Sequence, residues 1–154
     1  MKLLIFVEGT ILMHSTEDKI NEFASYIPIK NAVRKVTSWV EQGAEISYLT
    51  AQTKFVEIKQ IKDVLKKNNF PGEIVRARQG SETYKQVVED IKPNIFIEDD
   101  CKSIGEAEII TPKLKNDLSI HGIVVPEFGG IDHLPEKIEE LSVYGKKEEV
   151  VEAE

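Results

Sequence analysis

One cysteine, Cys101, stands alone among 154 residues, so no disulfide can form within the chain. A lone thiol fits a reducing compartment such as the cytoplasm. An excess of positive charge is missing as well. Lys and Arg number 20 against 27 Asp and Glu, a formal net charge of −7. So acidic a balance argues against a general nucleic-acid binder, which usually shows a basic face. No apolar run reaches the roughly 18 residues that a membrane-spanning helix needs. The apolar stretch in MKLLIFVEGT is too short for the core of a secretion signal and has no small-residue cleavage site. It reads as a first strand. His14, His121 and His133 are too scattered for a metal-binding spacing, and there is no internal repeat or low-complexity segment.

What is present is an alternation. Residues 2–7 form a continuous apolar run ended by Glu8-Gly9-Thr10, the pattern of a strand buried on both faces of a parallel sheet. Residues 14–27 are polar and moderately helical. From Pro28, apolar residues at helical spacing (Ile29, Ala32, Val33, Val36, Trp39, Val40) predict a helix with Pro28 in its first turn and Gly43 at its stop. Strands follow at 44–49, 73–77, 94–97 and 120–125. Helices are predicted at 54–69 and 82–91, a short one from 103 to 107, and a last one at 134–141. Residues 145–154, GKKEEVVEAE, are charged and read as a disordered tail. That leaves 1–144 as a single α/β domain, a length suited to one core.

Strands alternating with helices predict a Rossmann-like, three-layer parallel sheet of about five strands, with helices on both faces. Ligands in such sheets bind beyond the carboxyl ends of the strands. The residues at those ends are Glu8-Gly9-Thr10, Thr50, the Arg76 to Gln79 stretch, and Glu98-Asp99-Asp100. Acids, hydroxyls and a cation are thereby expected to converge.

These residues resemble the motifs of the haloacid dehalogenase-like (HAD-like) superfamily of phosphatases and related enzymes. IFVEGTIL resembles its first motif, an apolar strand followed by Asp-x-Asp-Gly-Thr. ISYLT, ending in Thr50, resembles the second, and Lys85 in SETYKQVVEDIKP the third. IFIEDD resembles the fourth, a strand ending in paired acids. Order and spacing agree over residues 2 to 105. The resemblance implies an aspartyl-phosphate mechanism with a nucleophilic and an acid–base aspartate. It further implies phosphoryl contacts from Gly9, Thr10, Thr50 and Lys85, and Mg²⁺ held by Asp99 and Asp100. The 14-residue stretch at 14–27 lies where this superfamily inserts caps. It is too short for a folded cap, which implies an open site with minimal or no cap.

The nucleophile position, however, is Phe6, which neither attacks phosphorus nor binds Mg²⁺. Gly9-Thr10 pins Glu8 to the second acid, so no shift of register restores the aspartate. Loss of a covalent nucleophile costs on the order of 10⁶ in rate by protease precedent. The expectation is a HAD-like domain without aspartyl-phosphate phosphatase activity, binding Mg²⁺ or a phosphorylated ligand, or serving as a protein-interaction module. The alternative is a metal-dependent phosphoester hydrolase in which Glu8 activates water beside Asp99 and Asp100.

Plainer readings stand beside each residue. Phe6 suits a core. Thr10 and Thr50 suit turns and caps. Lys85 has Glu82, Glu89 and Asp90 on its own helix as salt-bridge partners. Arg76 and Arg78 suit the flank of an edge strand. Asp99 and Asp100 repel one another unless a cation or hydrogen-bond donors offset them, or else lie in a solvated turn. Cys101, next to the acids, is disfavoured as a thiolate. PEFGGIDHLP, residues 126–135, brings a flexible Gly129-Gly130 pair near the fifth strand's end, with Asp132 as a residue able to face the site.

Overall fold

A computed structural model of the chain describes residues 1–105 and 109–146. Its centre is a five-stranded parallel sheet. In chain order the five are β1 (Lys2–Phe6), β4 (Glu45–Leu49), β5 (Val75–Arg76), β6 (Ile95–Asp99) and β7 (His121–Val125), arranged β5-β4-β1-β6-β7. The intervening β2 (Leu12–Met13) and β3 (Ile27–Pro28) form a separate antiparallel pair. The predicted α/β class and all five predicted sheet strands are present.

The central strand explains the layering. Leu3, Ile5 and Val7 of β1 and its extension pack with α1 (Ala32–Glu41) and α2 (Phe55–Lys67) through Val36, Trp39, Ile61 and Leu65. Leu4 and Phe6 pack on the opposite face with Val87 and Val88 of α3 (Tyr84–Ile91). Successive side chains of a strand point to opposite faces, so a strand buried on both must be apolar throughout. From β1 the chain moves outward through β4 to β5, then returns to β6 beside β1. This reversal opens a crevice at the carboxyl ends of β1 and β6.

Several boundaries differ from expectation. Pro28 is not in a helical first turn. It pairs with Leu12 in β3, and Lys30 takes a left-handed φ of 44°, so α1 starts only at Ala32. Gly43 does end that helix, with φ 98°. The 14–27 stretch contains two 3-10 turns, Glu17–Lys19 and Phe23–Ser25, rather than a longer helix. Of these turn residues only Phe23 is buried, so no apolar stripe drives a full helix. β6 runs on to Asp99 because its last residues pair with Val124 and Val125. The last helix shrinks to α4 (Ile138–Leu141), since Pro135 keeps the preceding backbone extended. The short helix predicted at 103–107 is a 3-10 turn at Lys102–Ile104, and 106–108 lie outside the described residues. So does the tail from residue 147 onward. Among the described residues no helix is long and apolar enough to cross a membrane.

Candidate functional site

The end of β1 is a compact loop. The Val7 carbonyl accepts from the amides of Thr10, Ile11 and Leu12, and the Gly9 amide donates to the Leu12 carbonyl at 2.8 Å. Gly9 has φ 88°, and a Cβ there would meet the Asp99 carboxylate at 2.8–3.0 Å. A glycine is therefore required twice over, by conformation and by space. The loop sends Glu8 toward β4 and Thr10 toward β6.

Glu8 does not project freely. Its carboxylate accepts the Thr50 hydroxyl at 2.7 Å, the Gln52 side-chain amide at 2.8 Å and the Ala51 backbone N–H at 3.1 Å. Burial raises its pKa, and these donors pull it partly back. The resemblance implied Thr50 as a phosphoryl contact; its hydroxyl is taken by Glu8.

The acids after β6 behave in the same way. Asp99, 2% exposed, accepts the Thr10 hydroxyl at 2.9 Å and the Cys101 amide at 3.1 Å. Glu98, also 2% exposed, accepts the Ile110 amide at 2.8 Å together with the Thr111 amide and hydroxyl. Asp100 accepts the Lys102 and Glu127 amides, both at 3.2 Å. Each carboxylate ties a different loop to the end of the sheet. Burial raises the pKa of both Glu98 and Asp99. Cys101 is pushed up to about 12 by burial and by the surrounding acids, which suits an inert thiol.

These side chains border a cleft of about 760 Å³. Its floor is Phe6, 9% exposed, whose ring meets Tyr84 edge-on at 5.4 Å between centroids. Glu8, Gly9, Glu98 and Asp99 line it, whereas Asp100 does not; Glu98 rather than Asp100 joins Asp99. The 14–27 stretch supplies His14, Glu17, Ile20 and Tyr26 to one wall, so the site is partly covered despite the lack of a folded cap. Lys85 is outside the lining and pairs with Glu89 at 2.9 Å. Arg78 lines the cleft instead, its guanidinium 4.1 Å from the Tyr84 ring centroid.

The 126–135 loop also acquires a role. Phe128 donates its amide to the Gly9 carbonyl at 2.9 Å, and its ring meets His14 edge-on at 5.5 Å. Glu127 accepts the Ser103 amide and hydroxyl, each at 2.8 Å. Asp132 turns away from the cleft and accepts the Asn31 amide. Phe128 and Tyr84 were not singled out by the sequence. Phe128 needs φ 66° to reach its position, and no periodic pattern signals that.

A Mg²⁺ shell needs several convergent oxygen ligands. Among the described residues no group of three or more His, Cys, Asp or Glu side chains is arranged to hold a metal. Asp99 and Asp100 face different partners, and Phe6, at the end of β1, offers no oxygen ligand. The residues present do not fit a Mg²⁺ site as they stand.

No family model matches the chain, and no curated protein matches it. Solved structures do. A chain in the structure of the Pnkp1/Rnl/Hen1 RNA repair complex matches with TM-score 0.59 and 12% identity, over 83% of this chain and 43% of that one. A chain in a second structure of the Pnkp1/Rnl/Hen1 complex matches with TM-score 0.60 and 11% identity, over 83% and 46%. This chain thus spans less than half the length of the chains it resembles, and at such identities the likeness is one of fold: a parallel α/β sheet flanked by helices.

Proposed function

We propose that this chain is a HAD-like domain that does not carry out aspartyl-phosphate chemistry, and that its cleft binds a ligand rather than transforming one. The observation that carries this reading is the Phe6 ring, packed on Tyr84 at the carboxyl end of β1 where the family's reaction needs a nucleophilic carboxylate. The engagement of Glu8 with Thr50, Ala51 and Gln52 adds to it, because the donors that would hold a phosphoryl group are already satisfied. The Mg²⁺ and phosphoryl elements of the family chemistry draw little support from these contacts. The water-activating alternative draws none, since Asp100 is turned to the Glu127 amide. The net charge of −7 does not favour nucleic acid. A protein partner is part of the proposal, as the similar chains belong to a multi-protein complex.

The test is turnover of p-nitrophenyl phosphate with Mg²⁺ or Mn²⁺. The expected result is no rate above buffer. A metal-dependent rate abolished by Glu8→Gln would overturn the reading and restore the hydrolase alternative.

A further inference from the structure

Arg78 is the odd group in the cleft. It follows the edge strand β5, and its guanidinium carbon lies over the Tyr84 ring, 4.1 Å from the centroid. Its Nε is buried with no hydrogen-bond partner. Among the described residues Arg78 makes no ion pair, although Glu8, Glu98 and Asp99 line the same cleft. Those acids are already occupied by hydroxyl and amide donors of the surrounding loops. A buried, unmatched N–H in a folded protein calls for an explanation, and the guanidinium that carries it lines the cleft, where an acceptor from outside the chain would meet it. Guanidinium presents its donors as a planar fork that matches an oxyanion.

The rest of the cleft restricts that oxyanion. Phe6, Tyr84, Ile110, Met13 and Phe128 give it an apolar, largely aromatic wall. Glu8, Glu17, Glu98, Asp99 and Glu127 set five carboxyl groups against the single guanidinium among the described lining residues. Like charges in a confined site repel, so a doubly charged phosphate is penalised more than a singly charged group.

We infer that the cleft binds an organic monocarboxylate with an apolar body, its carboxylate forked on Arg78 and its body lying against Phe6 and Tyr84. The proposal rests on the cleft being a binding site. It does not depend on whether any phosphoester is cleaved.

Calorimetry on the full chain tests it, with benzoate, phenylacetate and hexanoate as carboxylate probes, and phenyl phosphate and inorganic phosphate as competitors. At least one carboxylate should bind saturably, and phenyl phosphate more weakly than benzoate. Arg78→Gln should weaken the carboxylate by about tenfold or more, the size expected for a charged hydrogen-bonded contact. Arg78→Lys, which keeps the charge but loses the fork, should fall between. Unchanged thermal unfolding of both variants separates lost binding from lost fold. Absence of binding by all three carboxylates, equal binding by Arg78→Gln, or preference for phenyl phosphate would each overturn the inference. Turnover of p-nitrophenyl phosphate is scored separately, so failure of the non-catalytic reading is distinguishable from failure of this one.

Discussion

The Glu8 carboxylate accepts the Thr50 hydroxyl at 2.7 Å, across the gap between the first two sheet strands in the chain. Two residues that the resemblance assigned to a substrate are thereby assigned to each other. Thr50→Val removes a donor from a buried acid and should cost about 1–3 kcal/mol of stability. In a double-mutant cycle with Glu8→Gln, the coupling should be about 0.5–3 kcal/mol. Urea unfolding of the four proteins measures it, and additive effects would show that the contact carries no energy.

Gly9→Ala should also be costly. Its φ of 88° is unfavourable for any side chain, and the added Cβ runs into Asp99. A loss of about 1–3 kcal/mol is expected from the backbone alone. A change smaller than about 0.5 kcal/mol, the range of ordinary surface substitutions, would contradict the observed loop.

Phe6→Asp tests the proposed absence of aspartyl-phosphate chemistry. The ring belongs to a cluster with Leu4, Leu49, Val87 and Phe96. Deleting a packed Phe costs about 3–5 kcal/mol, and the new carboxylate adds a desolvation cost. The variant is expected to unfold at lower temperature and to gain no phosphatase activity, because Thr50 remains tied to Glu8. A well-folded variant with metal-dependent turnover would mean that the other residues named by the resemblance form a working site once Phe6 is replaced.

The buried acids set a pH dependence with a definite sign. Burial raises Glu8, Glu98 and Asp99 in the folded state. A raised carboxyl pKa means the folded state holds its proton more tightly. The resulting stabilisation is complete below the unfolded pKa and is lost as pH rises through the folded one. Wild type should therefore lose stability relative to Asp99→Asn as pH rises from about 4 to about 8, starting from the ordinary carboxyl range. Urea unfolding of both proteins across that span measures the difference. A constant or oppositely sloped difference would contradict the burial of Asp99.

Much of the fold was legible because its signals are local. The run LLIFV is apolar at every position, which only a doubly covered strand tolerates, and it became the sheet's centre. The placement of a site beyond β1, β4 and β6 followed from topology. Side-chain direction was harder to read. Lys85 was expected to contact a ligand, with a salt bridge on its own helix as the plainer alternative; it pairs with Glu89, four residues on. Arg78 stood in the sequence as the flank of an edge strand; the stacking on Tyr84 that turns it into the cleft is a contact between separate elements. Pro28 misled because proline suits both a helix start and an edge pair, and its pairing with Leu12 is non-local. The paired acids raised the question of what offsets their repulsion. The answer, the Thr10 hydroxyl and the backbone amides of Cys101, Lys102 and Glu127, lies in tertiary structure.

Each of these carboxylates is seen holding a loop, and the proposed function has none of them hold a metal. Titration of Mg²⁺ into wild type and Asp99→Asn by calorimetry tests it most directly. No saturable heat is expected in either protein at millimolar Mg²⁺, and no rise in unfolding temperature. Saturable binding by wild type that disappears in Asp99→Asn would contradict it and make the acid pair a metal site.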